Sequence, residues 1–230
     1  MEPIAVVAAL AGTFGAYIKW TSHSKRKREE QERAMAEERR IKLEEERDKV
    51  IKDAMEQLLL FAEWLTPAMV IDSNIWMNER YDSFFSCIRL ACLIKKYKIE
   101  LFGVQFDEIS NIKKAAQYGD ARNARARIAI NRIEALQKDN LLRVIPITVD
   151  AKRGAYADPL IVKVLAQQSR EGKKCTFFSD DKELRVRVRQ HLSDYAEADW
   201  QIVEVENHLP TCEKILNGHR ELWKRKQSEQ

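Results

Sequence analysis

Ala68-Met69-Val70-Ile71-Asp72-Ser73-Asn74 is an apolar run of four residues that stops abruptly at an acid and two turn-forming residues. A short run with no polar alternation, bounded by turn residues, is the pattern of a strand buried on both faces. Similar runs occur at 101–106, 142–147, Cys175–Phe178 and 201–205. Between them lie helical patterns at 83–98, 107–117, Ala121–Lys138, 159–170 and Lys182–Leu192. Strands alternating with helices imply crossover connections and a mostly parallel sheet with helices on both faces. The expected fold class is therefore α/β.

Upstream of this region the chain changes character twice. Ile4 to Ile18 carries no charge and follows Glu2, with Lys19, Lys25, Lys27 and Arg28 after it. As a helix it would span about 22 Å, short of the ~30 Å hydrocarbon layer but extendable through Pro3 and Trp20. The basic residues predict a single-pass membrane anchor at 1–20 with the rest of the chain in the cytoplasm. The bland alternative is a helix lying on a surface or buried. From Lys25 to Lys49, 19 of 25 residues are charged, and Gly and Pro are absent. Pairs such as Glu38 with Lys42 put acid before base at helical spacing. A solvated helical spacer over 21–64 follows, with apolar positions too sparse for a sustained coiled-coil seam. The remaining expected divisions are a globular domain at 65–208 and a helical or basic tail at 209–230.

Composition narrows the function classes. The 230 residues are 45% hydrophobic and 33% charged, with 7 Gly and 5 Pro, which excludes a collagenous or wholly disordered chain. Four cysteines without ligand spacing argue against a disulfide framework and a structural zinc site. A net charge of +4 neither demands nor excludes nucleic acid, because a phosphate-binding groove can be local.

Acids cluster where chemistry is expected. In open α/β sheets, ligands bind beyond the carboxyl ends of the strands. Asp72 follows the first strand, Asp107 and Glu108 the second, and Asp180 and Asp181 follow Phe178, while Asp158 opens the helix before that last run. Carboxylates packed together repel unless a cation compensates. Mg²⁺ takes oxygen ligands, keeps several waters and needs only one or two carboxylates. Such ions can activate water against a phosphodiester.

These stretches resemble the PIN-domain nucleases. Val70-Ile71-Asp72-Ser73-Asn74-Ile75-Trp76 resembles that family's opening strand and D-x-N turn. Val104-Gln105-Phe106-Asp107-Glu108-Ile109 is similar to its second acidic position, and Asp158-Pro159-Leu160-Ile161 to its third. Phe177-Phe178-Ser179-Asp180-Asp181-Lys182-Glu183-Leu184 resembles the last, with Ser179 in place of the usual Thr; aligning Leu184 makes Asp181 the matching acid and Asp180 the alternative. The resemblance spans roughly 69–205. It implies a parallel sheet flanked by helices and a Mg²⁺- or Mn²⁺-dependent endoribonuclease. Asp72, Glu108, Asp158 and Asp181 would be catalytic and metal-binding, with Asp180 as a further metal ligand and Asn74 and Ser179 supporting them. It also implies an RNA substrate and leaves room for a protein inhibitor or antitoxin, or a second copy of the chain.

Each residue also has a structural reading. Asp158 before Pro159 is a good helix start. Asp180 with Glu183 fits a capping box, which leaves Asp181 free for metal. Glu108 suits the first turn of a helix. Arg125, Arg132, Arg185 and Arg187 are candidate phosphate contacts, although solvated helix charges are the commoner case. Two other functions remain open: a catalytically silent PIN-like scaffold or RNA-binding module at a membrane, and a DNA nuclease.

Overall fold

The computed structural model describes residues 3–115, 120–146, 158–192 and 200–228, with the side chains of 3–22, 24 and 158 outside the description. Five strands, β1 (Ala68–Ile71), β2 (Lys98–Phe102), β3 (Leu142–Ile145), β4 (Cys175–Phe178) and β5 (Trp200–Val203), form one sheet in the order β3-β2-β1-β4-β5. Every neighbouring pair is parallel. The fold is α/β, as the alternation of runs implies.

Burial explains the apolar runs. All four residues of β1 and of β4 are buried. Met69 and Ile71 face one core with Ile99, Leu101 and Phe178, while Ala68 and Val70 face a second with Phe102, Cys175 and Phe177. Period-two side chains thus feed two cores, which is why no polar face interrupts these strands. The first core is closed by α3 (Asp82–Lys95), α5 (Ala121–Lys138) and α8 (Leu209–Ser228), and the second by α6 (Asp158–Arg170) and α7 (Lys182–Leu192). A charge is buried in β2 on this second face: Glu100 is 2% exposed and is bonded by Arg143 and by Gln168 Nε2.

The main differences from the sequence expectation lie at two boundaries. β2 ends at Phe102 and α4 (Gly103–Ala115) begins at once, so residues 103–106 are helix rather than strand. The apolar look of Val104 and Phe106 misleads, because Val104 is half-buried and Phe106 exposed. Second, α1 (Pro3–Glu63) does not end as a solvated spacer: Leu58, Phe61 and Ala62 are buried in the first core, and Ala54, one turn earlier, is buried as well. The globular unit accordingly runs from Ile51 to Gln230, with Met1–Val50 a separate unit. The tail takes the helical form of the two expected: Cys212, Ile215 and Gly218 of α8 are buried.

In the first unit the described side chains are all exposed, with ion pairs Arg26–Glu30 and Lys42–Glu38 along the helix. The side chains of the proposed anchor, 1–20, lie outside the described residues; among those described, no helix is long and apolar enough to cross a membrane.

Candidate functional site

The sheet order reverses between β1 and β4, because β1 leads outward through β2 to β3 and the chain then returns to β4 on the other side of β1. Crevices at such switch points are where open α/β sheets bind ligands. Asp72 emerges there from β1 and Ser179 from β4, side by side, since Ile71 and Phe178 are register partners.

Asp72 is 2% exposed, and its N–H donates to the Phe178 carbonyl at 2.9 Å. Its Oδ1 accepts the Asn74 N–H at 3.3 Å, capping the short helix α2 (Ser73–Trp76), and its Oδ2 accepts from Ser179 Oγ at 2.9 Å. Ser179, fully buried, also accepts the Asp181 N–H at 3.1 Å. One hydroxyl therefore joins the acid of β1 to the acid at the head of α7. Burying a carboxylate is expensive unless hydrogen bonds compensate, and two are visible here.

The two acids after β4 take the reverse of their expected roles in helix capping. Asp181, not Asp180, caps α7: its Oδ1 accepts the Leu184 N–H at 3.0 Å. Asp180 turns instead to the β5 side, where Oδ1 accepts the Glu206 N–H at 3.1 Å. Tyr81, buried beside Asp180, has its hydroxyl pKa pushed up by that burial and by the neighbouring carboxylate. The capping-box pattern misleads because Ser179 already holds the Asp181 N–H, placing Asp181 at the helix start.

The other candidates disperse. Glu108 is half-buried in the second turn of α4, further from the strand end than expected because β2 ends at Phe102. Asp158 opens α6, and its side chain is outside the described residues. Asn74 is exposed and serves Asp72 through its backbone. Among the described residues, no three acid, histidine or cysteine side chains are grouped to hold a metal ion.

Two of the arginine assignments need correction. Arg132 is 9% exposed; its Nη1 donates to the carbonyls of Ile75 and Trp76 at 3.1 and 2.8 Å, its Nη2 pairs with Asp82, and its guanidinium lies 4.4 Å over the Phe85 ring. Arg185 is 7% exposed and is committed to the Ser179 carbonyl at 3.0 Å and Glu204 at 3.1 Å. Both are internal braces, turned inward by carbonyls at helix and strand ends. Arg125 and Arg187 are exposed, Arg187 in an ion pair with Glu183.

Sequence reasoning passed over Gln105 and Trp76. Gln105 Nε2 donates to the Ile71 carbonyl at 2.8 Å, and Trp76 Nε1 donates to the same oxygen at 3.2 Å. A helix beginning at Gly103 would have shown Gln105 as the residue one turn before Glu108. A groove of about 780 Å³ is lined by α6 and α7 residues such as Lys163, Arg170 and His191, and includes neither Asp72 nor Ser179.

The oxygen-only donors around Asp72 suit a hard cation held by one or two carboxylates and water, which is the usual Mg²⁺ arrangement. No protein-family profile matches the chain, and no curated protein matches it. What the fold and this site define is a parallel α/β domain with a buried, hydrogen-bonded acid at its switch point.

Proposed function

We propose that this chain is a PIN-like, divalent-metal-dependent endoribonuclease. The observation that carries the reading is the Asp72–Ser179–Asp181 linkage at the β1/β4 switch point. Asp72 and Asp181 would hold Mg²⁺ or Mn²⁺, with Glu108 on α4 and Asp158 at the start of α6 as the further acids. What the ion supplies when bound is activation of water and neutralisation of charge at an RNA phosphodiester. Ser179 Oγ orients the Asp72 carboxylate, and the Asn74 N–H holds its other oxygen. The apolar segment 4–18 would tether the enzyme to a membrane, with the charged helix after it as spacer and the globular unit in the cytoplasm.

The full chain should cut single-stranded RNA in Mn²⁺ faster than single-stranded DNA or duplexes, and Asp72→Asn should remove cleavage with its thermal midpoint nearly unchanged. A folded Asp72→Asn protein that cuts at the parental rate would defeat the mechanism. Sedimentation of the full chain with vesicles tests the tether, which fails if all protein stays in the supernatant.

A second reading has its own support: Asp181 spends one carboxylate oxygen on capping, and no three-ligand group exists among the described residues. A silent PIN-like scaffold or RNA-binding module would show no Mn²⁺-dependent stabilisation. Preference for DNA in the same digestion would instead make the chain a DNA nuclease.

A further inference from the structure

The β1–β2 ladder has its last register pair at Val70 and Glu100. Beyond that pair, between Ile71 and Phe102, the link is a side chain. Gln105, fully buried in the first turn of α4, donates from Nε2 to the Ile71 carbonyl at 2.8 Å and accepts the Phe102 N–H on Oε1 at 3.2 Å. A single amide thus joins the ends of two parallel strands and fastens α4 to both.

The bond to Ile71 falls on the peptide that leads into Asp72. That carbonyl receives Gln105 Nε2 and Trp76 Nε1, so both of its lone pairs are used. The N–H of the same peptide donates to Phe178 on β4. The peptide is held from both sides, and the direction in which the Asp72 carboxylate leaves the strand is set with it. Gln105 also precedes Glu108 by three residues, which puts the two on one side of α4. Rotation of α4 that moved Glu108 would have to break the Gln105 bonds.

We propose that Gln105 is a positioning residue that sets the Asp72 carboxylate relative to the Glu108-bearing helix. This rests on the reading of Asp72 and Glu108 as metal-holding acids. A core amide that merely satisfied its own hydrogen bonds would contribute stability without tuning the acids, so the two roles separate by experiment.

The test uses the full chain with Gln105→Met, which keeps the volume but makes neither bond, and Ile109→Val, which trims a fully buried side chain on the same helix. Mn²⁺ titration followed by thermal shift should give a midpoint about 10-fold or more weaker for Gln105→Met, in the range typical of lost outer-shell partners. Its RNA cleavage should fall about 100-fold in kcat with KM little changed, as expected when a group is misplaced rather than removed. Ile109→Val should lower the melting midpoint while leaving Mn²⁺ affinity and kcat as they were. Wild-type Mn²⁺ affinity in Gln105→Met, or a change no greater than that of Ile109→Val, overturns the proposal. If Gln105→Met does not fold, Gln105→Asn is read in the same way, since its amide is one methylene shorter and cannot span both the Phe102 N–H and the Ile71 carbonyl. If the parent protein shows no Mn²⁺ response, the metal reading falls by itself, and exchange of the Asp72 amide hydrogen decides the positioning role. Gln105→Met should then speed that exchange about tenfold more than Ile109→Val does, and equal rates would end the proposal.

Discussion

Ser179 Oγ donates to Asp72 Oδ2 at 2.9 Å while accepting the Asp181 N–H at 3.1 Å, so a single hydroxyl closes the gap between β1 and α7. Both bonds lie inside the protein, with Ser179 fully buried and Asp72 nearly so. Removing the hydroxyl takes a donor from a buried carboxylate and leaves a part-buried N–H unmet. Ser179→Ala should therefore lose about 1–3 kcal/mol of stability in urea unfolding. Its RNA cleavage should drop about 10- to 100-fold, since the acid it orients remains but is less well aimed. Unchanged unfolding and unchanged cleavage would mean the hydroxyl is a bystander.

The neighbouring acids divide their work, and the division is testable. Asp181 caps α7 and connects through Ser179 to Asp72, whereas Asp180 bonds the Glu206 N–H. Alanine at either position should cost roughly 1 kcal/mol, the usual loss for a capping or charged hydrogen bond. Only Asp181→Ala should also abolish Mn²⁺-dependent stabilisation. If Asp180→Ala abolishes it and Asp181→Ala retains it, the assignment of the metal ligand is reversed.

How far the sequence reached depended on whether local pattern or distant contact decided the structure. β1 and β4 were legible because strands buried on both faces carry uninterrupted apolar runs, and Ala68–Ile71 and Cys175–Phe178 have the expected ends. The end of β2 was not, because Val104 and Phe106 look like strand while the helix start depends on Gln105 reaching Ile71 on another strand. Asp72 was legible as an acid at a strand end, but its capping of α2 and its bond to Ser179 were not, since the second depends on a residue of another strand. The roles of Asp180 and Asp181 were reversed because a hydroxyl from the preceding residue, rather than the capping-box spacing, chooses the helix start. Arg132 and Arg185 look like surface charges in a helical pattern, and only tertiary carbonyls turn them inward.

Arg132 supports a specific expectation. Its guanidinium reaches three acceptors, the Ile75 and Trp76 carbonyls and Asp82, while stacking over Phe85. Lysine keeps the charge but not the planar fork, so it cannot serve the two carbonyls and Asp82 together. Arg132→Lys should lose about 2 kcal/mol, near the value of a charged hydrogen bond inside a protein. Asp82→Ala should lose less, because the Asp82 side chain is 76% exposed. Urea midpoints for the two variants give the comparison, and a greater loss for Asp82→Ala would show that the ion pair, rather than the carbonyl clamp, carries the stability.

His208 gives the chain a predictable response to acid. Its ring meets Trp64 edge-on at 4.4 Å between centroids, and burial lowers its pKa below 6.5, partly opposed by attraction to Asp180. A histidine with a depressed folded pKa binds its proton more readily in the unfolded chain. Its effect on stability is therefore absent well above 6.5, grows as pH falls through that value, and levels off below the folded pKa. His208→Phe preserves an aromatic contact with Trp64 and removes the titration. As pH falls from about 7.5 through 6.5 the parent protein should lose more of its urea midpoint than His208→Phe, the difference growing until the folded pKa is passed. Parallel pH dependences for the two proteins would show that burial of this imidazole does not couple to folding.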